Sequence, residues 1–176
     1  MPNLANIDLK THIRSIPDFP KPGILFRDIT TLLKEPRAFN QAIDQLAQHF
    51  QNKGIKKVIG IESRGFLAAA PVAYIIGAGF VPVRKKGKLP YKTTSVTYEL
   101  EYGQDSLEIH LDAIEKGEKT IIIDDLLATG GTAKATCDLV RKLGGNVAGM
   151  GFLIELNDLK GRDQLKGLDV FSLLDF

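Results

Sequence analysis

The sequence predicts an α/β fold: a central, mainly parallel β-sheet with helices on both faces and a small flap or hood beside it. Short β-branched runs alternate with longer stretches of helical periodicity, as in sheets whose strands are joined by crossover helices. One polar segment, residues 91–110, breaks that alternation on either side of Gly103 and reads as a hairpin projecting from the sheet. The size sets a bound: 176 residues, 44% hydrophobic and 25% charged, fill one core and are too few for two comfortable ones. Residues 1–176 are therefore expected to form a single domain with 91–110 as a flexible flap.

The first clear element is an amphipathic helix over residues 36–51. Pro36 suits its first position, and Phe39, Ala42, Ile43, Leu46, Ala47 and Phe50 make one apolar stripe. A short apolar strand, 56–61, ends at Glu62-Ser63-Arg64-Gly65, where the next helix begins. The uncharged run FLAAAPVAYIIGAGFVPV, 66–83, approaches the length of a membrane span. Pro71 and Pro82 interrupt it, however, and Gly77 and Gly79 cluster where a turn would fall, so a buried helix followed by a strand at 79–84 is the better reading. Pro82 predicts an edge or irregular position in that strand. Further strands are expected at 119–124, 146–156 and 170–174. Between the first two of these, Ala133, Thr136, Cys137, Val140 and Leu143 share a helical face that Gly144-Gly145 closes.

Composition excludes several classes of function. A net charge of +2, from 23 basic and 21 acidic residues, gives no nucleic-acid surface. His12, His49 and His110 lie far apart and Cys137 is the one cysteine, so neither a disulfide framework nor a Cys/His metal site is available within one chain. The start MPNLANIDLK lacks the basic and apolar regions of a secretion signal, and a cytoplasmic location is expected.

In a sheet of this kind ligands gather at the carboxyl ends of the strands, which directs attention to TIIIDDLLATGGTAKAT, residues 120–136. Ile121, Ile122 and Ile123 suit a central strand buried on both faces. Asp124 and Asp125 follow where that strand meets solvent. Gly130 and Gly131 allow a backbone that aims several N–H groups into one concavity, Thr129 and Thr132 add hydroxyls, and Thr132 is placed to cap the next helix. No lysine follows the glycines as a P-loop requires, and G-x-G-x-x-G is absent. Carboxylates facing a phosphate would repel it, so the acids should face hydroxyls or a cation. The spacing suits a sugar phosphate.

DDLLATGGT after a hydrophobic strand resembles the phosphoribosyl pyrophosphate motif of the type I phosphoribosyltransferases. The resemblance implies that Asp124 and Asp125 hold the ribose hydroxyls and that Ala128, Thr129, Gly130, Gly131 and Thr132 hold the 5′-phosphate. FPKPGILFRDIT (19–30), GIESRGF (60–66), RKKGKLP (84–90), LEYG (100–103) and LKGR (159–162) are similar to the branch of that family whose acceptor is adenine. Ala68-Ala69-Ala70 departs from the pattern, at a position that bears on packing. The implied reaction joins adenine to phosphoribosyl pyrophosphate and gives AMP and pyrophosphate.

Glu62, Ser63 and Arg64 are expected to attend the pyrophosphate, and the basic cluster Arg84, Lys85, Lys86 and Lys88 at a strand end favours the same role, for Lys85 and above all Lys88; the resemblance implies a non-proline cis peptide at Glu62-Ser63. By the same resemblance, Leu25, Phe26, Arg27 and Leu156 surround adenine. Glu101 is the acid/base, Tyr102 its neighbour, and Arg64 completes the catalytic set. Mg²⁺ is implied as cofactor, held mainly by the substrate and near Asp124 and Asp125. A homodimer is implied, with no nucleic-acid or membrane partner. Two rivals are a different base as acceptor and a regulator that binds the donor without catalysis. The latter needs a DNA-binding unit for which the first 35 residues are too few and insufficiently basic.

Overall fold

The computed structural model describes residues 6–100 and 103–176. In chain order they form β1 (Arg14–Ile16), β2 (Phe26–Asp28), α1 (Thr30–Leu33), α2 (Pro36–Phe50), β3 (Lys57–Ile61), α3 (Gly65–Ile76) and β4 (Gly79–Lys85). There follow β5 (Thr93–Leu100), β6 (Gly103–His110), β7 (Lys119–Leu127), α4 (Gly131–Lys142), β8 (Asn146–Glu155) and β9 (Val170–Asp175). The seven-stranded sheet has the order β5-β6-β4-β3-β7-β8-β9. Its five strands from β4 to β9 are parallel, and the β5–β6 hairpin adds an antiparallel wing at the β4 side. β1 and β2 make a separate antiparallel pair, the hood.

The parallel strands explain their own residues. Val58 and Ile121 and Ile123 face α2 and α3, whereas Ile59, Ile61 and Ile122 face α4, so β3 and β7 are apolar throughout because both faces are covered. Pro71 lies inside α3 and does not end it. The small residues Ala68 and Ala69 are fully buried, and a Cβ on Gly60 of β3 would lie 2.9 Å from that of Ala69, so the alanine run lets α3 sit close on the sheet. Among the described residues no helix is long and apolar enough to cross a membrane.

Pro82 takes the place its chemistry allows. β4 pairs with β3 from Gly79 to Val83, but β6 joins it only at Arg84 and Lys85, so Pro82 faces no ladder on that side. β7 differs more from expectation. It continues through both aspartates to Leu127, held by β8 on one side, while its pairing with β3 stops at Ile123. From Asp124 onward the two central strands part. The chain turns outward from β3 to β4 in one direction and to β7, β8 and β9 in the other, and in such sheets the point of reversal opens a crevice at the carboxyl ends.

On the face of the sheet that α2 covers, Phe50 packs over Gly149 and Gly151 of β8. A Cβ on Gly151 would lie 2.7 Å from Ile123 Cδ1 and 2.9 Å from Phe50 Cε2. Gly151→Ala should therefore lower stability by about 1–3 kcal/mol, the usual consequence of overpacking a filled core. Urea unfolding measures this; an unchanged midpoint would mean that α2 can move off the sheet freely.

Candidate active site

Where β3 and β7 part there is a cleft of about 500 Å³. Its floor is the end of β3 with Glu62, Ser63 and Arg64, one wall is Asp124 to Ala133, and the opposite wall is Lys85 with Tyr98, Asp105 and Leu107 of the hairpin. The segment 128–132 and the paired aspartates thus share one cavity with Glu62, Ser63, Arg64 and Lys85.

The glycines that shape the wall have specific tasks. Gly130 has φ +86°, a left-handed conformation that turns the chain from β7 into α4, and a Cβ there would collide with the carbonyl oxygen of Gly161. A Cβ on Gly161 would in turn strike the Ala128 carbonyl. The two backbones touch, which fixes the loop. The helix begins earlier than the sequence suggests: Gly130 is its N-cap and Thr132 is already inside it. Thr132 therefore does not cap; its hydroxyl lies at the cleft, 3.5 Å from the Tyr98 hydroxyl. The first N–H groups of α4, which lack partners within a helix, point to the same end.

Asp124 and Asp125 carry the electrostatic tension of the site. Burial, and then the charge of Asp125, push the Asp124 carboxyl well above its ordinary value. Burial also raises Asp125, against the pull of Arg64. The Arg64 guanidinium reaches Asp125 Oδ2 at 2.9 Å, and the Asp125 N–H donates to Asp124 Oδ1 at 2.9 Å. Asp124 also lies against the start of α3, where a Cβ on Gly65 would come within 2.5 Å of Asp124 Oδ1. The Glu62-Ser63 peptide is cis.

The basic segment divides. Lys85 lines the cleft and pairs with Asp105 at 2.9 Å, whereas Lys88 turns to Glu62 and does not line it. Glu62 also accepts from Arg84 Nε at 3.2 Å and the Lys85 N–H at 3.1 Å. Burial alone would raise Glu62, but these donors, Lys88 foremost, hold it below the usual range. Buried Glu108 accepts the N–H groups of Lys88 at 3.0 Å and Leu89 at 2.9 Å, and so fixes the turn that carries the lysine.

Leu25, Phe26, Arg27 and Leu156 do not line this cleft. The hood approaches it at Phe26, whose ring centre lies 5.3 Å from the Arg64 guanidinium. Leu25 is exposed, and Arg27 lies over the Phe176 ring at 4.1 Å. Leu156 donates its N–H to the Leu127 carbonyl at 2.9 Å. Glu101 and Tyr102 lie outside the described residues. Tyr98, Asp105 and Glu108 were not singled out from the sequence, since only the hairpin register brings them to the cleft and its lysine turn.

The arrangement offers hydroxyl acceptors, an anion loop and cations around one cavity. Among the described residues no group of three His, Cys, Asp or Glu converges as a metal site.

The phosphoribosyl transferase domain family matches residues 28–174. The chain is 59% identical over 168 residues to the adenine phosphoribosyltransferase of Acidobacterium capsulatum, covering 96% of this chain and 93% of that one. The crystal structure of adenine phosphoribosyltransferase from Thermoanaerobacter pseudethanolicus is 54% identical with a TM-score of 0.93, covering 96% of this chain and 98% of that one. The Saccharomyces cerevisiae enzyme, solved with an imino-altritol bisphosphate and adenine, is 44% identical with a TM-score of 0.88, covering 94% of this chain and 96% of that one.

The raised Asp124 carboxyl has a consequence for stability. The folded chain binds this proton more tightly than the unfolded chain, so stability falls as pH rises from the ordinary value of 3.8 through the raised one, and stays lower above it. Asp124→Asn removes that penalty and keeps an acceptor for the Asp125 N–H. Without substrates it should melt a few degrees higher than the wild type at neutral pH, with the difference vanishing in acid; calorimetry across pH checks both. An equal or lower melting temperature at neutral pH would contradict the assigned repulsion.

Proposed function

The chain belongs to the phosphoribosyltransferase family, and from that premise we propose that it is an adenine phosphoribosyltransferase of purine salvage, transferring the 5-phosphoribosyl group of phosphoribosyl pyrophosphate to adenine. The products are AMP and pyrophosphate. The observation that carries this reading is the single cleft in which the aspartate pair faces a glycine-built anion loop across the parting of β3 and β7. A ligand with hydroxyls beside a phosphate suits both groups at once.

In this reading Asp124 and Asp125 accept hydrogen bonds from the ribose hydroxyls. Ala128, Thr129, Gly130, Gly131 and Thr132 hold the 5′-phosphate by N–H and hydroxyl donors at the start of α4. Glu62, Ser63, Arg64 and Lys85 border the pyrophosphate. Lys88 reaches it by leaving Glu62, which it otherwise neutralises. Arg64 must likewise exchange Asp125 for the pyrophosphate, where its cation offsets the charge that grows on the leaving group. The peptides of Leu25 and Arg27 offer a donor and an acceptor to the adenine edge, Phe26 stacks on the ring and Leu156 closes its far side. Holding base and sugar in line supplies a large part of the rate enhancement.

As the bond from the base nitrogen to the sugar forms and the bond to pyrophosphate breaks, the base loses a proton, which Glu101 accepts. Tyr102 helps the flap seal the sugar centre from water. Mg²⁺ fits the aspartate pair: a divalent cation nearby would relieve two carboxylates whose ionisation burial disfavours. When bound with the donor it supplies charge neutralisation to the phosphate oxygens. We read residues 1–176 as one catalytic domain in the cytoplasm. The exposed Leu67, Tyr74 and Ile75 of α3, with Phe80 of β4, are the apolar face on which we place a homodimer.

Incubation with adenine, phosphoribosyl pyrophosphate and Mg²⁺ should yield AMP, with adenine preferred when guanine and hypoxanthine compete. No AMP, or no preference, defeats the assignment. Asp125→Asn and Thr132→Val should each raise the donor KM about tenfold or more, as loss of a hydrogen bond to a charged or anion-bearing group does. Glu101→Gln should lower kcat about 10²–10⁴-fold with donor KM nearly unchanged, the usual contribution of an acid/base group. Steady-state kinetics separates these outcomes, and retained turnover in Glu101→Gln would remove Glu101 from the chemistry.

A further inference from the structure

The hairpin fastens to the rest of the molecule in a way that leaves one ion pair exposed to competition. β6 is bonded to β4 only at Arg84↔Glu108 and Lys85↔Leu107, with one further main-chain tie from the Lys86 N–H to the Ser106 carbonyl at 3.1 Å. Asp105 is the next residue outward. Its pair with Lys85, at 2.9 Å, is thus the first attachment beyond the point where the β4 ladder stops. Directly across the hairpin from Asp105 is Tyr98, whose hydroxyl lies near Thr132 of the anion loop. Lys85, Asp105, Tyr98 and Thr132 all line the cleft.

The pair is built rather than incidental. Asp105 Oδ1 accepts the Ser106 N–H at 2.8 Å, which holds the carboxylate at the strand edge while Oδ2 faces the lysine. The other nearby carboxylate, Glu62, is already occupied by Lys88, Arg84 and the Lys85 N–H, so the Lys85 ammonium is left to Asp105. The lysine side chain remains 58% exposed, open to an anion in the cleft. Hydrogen bonding to Lys85 holds Asp105 below the usual carboxylate range, and the same bond raises Lys85. Both partners are charged at neutral pH.

We propose that Asp105 is a positioning residue that tethers the hairpin through Lys85, and that the pyrophosphate group of the donor competes with Asp105 for that lysine. This rests on the pyrophosphate role given to Lys85 in the proposed function. When the anion takes Lys85, Asp105 loses its partner and β6 loses its first attachment beyond the β4 ladder, while Val96 and Tyr98 of β5 stay packed against the core. Occupancy of the pyrophosphate subsite and the freeing of Asp105 are thereby one event.

Asp105→Asn tests it, because the amide keeps an acceptor for the Ser106 N–H and removes the charge. Calorimetric titration with inorganic pyrophosphate should show binding tightened about two- to fivefold, the range that an exposed ion pair contributes. Asp105→Glu, which restores a carboxylate, should return the affinity toward that of the wild type. In a Lys85→Gln background, Asp105→Asn should change nothing, since the pair is already broken. Unchanged or weakened binding in Asp105→Asn overturns the proposal. So does a gain that persists in the Lys85→Gln background, which would mean general repulsion by the carboxylate. Should Asp105→Asn not fold, as seen by circular dichroism, Asp105→Ser serves in the same titrations. AMP formation by the wild type is scored separately, so failure of the proposed activity and failure of the tether are told apart.

Discussion

Two carboxylates on consecutive residues, drawn partly out of water at the end of a strand buried on both faces, repel each other, and the surrounding structure answers that repulsion. The strand cannot simply turn its acids into solvent, because β8 keeps pairing with β7 as far as Leu127. β3 has already left at Ile123, so the opening faces α3 and the end of β3. Arg64 enters there and takes Asp125, while Asp124 keeps the Asp125 N–H as a donor. One cation for two acids leaves the pair undercompensated. In the proposed reading a ligand with hydroxyls, or a cation travelling with it, would complete the balance and let an anion loop stand beside acidic residues. The two ends of such a ligand would separate the opposing demands.

That balance needs backbones closer together than side chains permit. Gly65 brings the start of α3 against Asp124, and Gly130 and Gly161 bring the anion loop against the turn after β8. Any Cβ at these places would push one wall of the cleft outward by a few tenths of an ångström or more. Reacting groups lose much of their advantage at such displacements. The stretch LKGR, far from the loop in sequence, therefore belongs to the same site through Gly161 alone.

The alternation of strands and helices was legible because periodicity is local and each central strand is covered on both faces. Residues 120–132 were legible for a related reason: the acids, glycines and hydroxyls that the chemistry needs are adjacent in sequence. What depends on register was not. Lys85 and Asp105 stand on different strands, and nothing in a string of residues fixes which lysine of RKKGK meets which acid; Glu62 and Glu108 draw Lys88 and its turn aside and leave Lys85 at the cleft. Thr132 was misplaced as a cap because the left-handed turn at Gly130 starts the helix sooner than a hydroxyl-capped pattern would. β1 and β2, three residues each, are too short for alternation to register.

The hood shows how a piece with little core of its own is held beside the strand ends. A pair of three-residue strands has marginal stability by itself. Ile13 and Ile29, which flank its two strands, are buried in the main core, and cation–ring contacts add to them: Arg64 over Phe26 at 5.3 Å and Arg27 over Phe176 at 4.1 Å, with Lys10 over the same ring at 4.6 Å. Arg64 links the hood to the strand end, because the same guanidinium that meets Phe26 also binds Asp125. A planar, delocalised cation can present its face to a ring and its edge to a carboxylate together, which an ammonium cannot do. Arginine at this position thus spans from the hood to the strand end. Phe26 and the aspartate pair are consequently joined through one side chain, and a change that moves Arg64 alters both contacts at once.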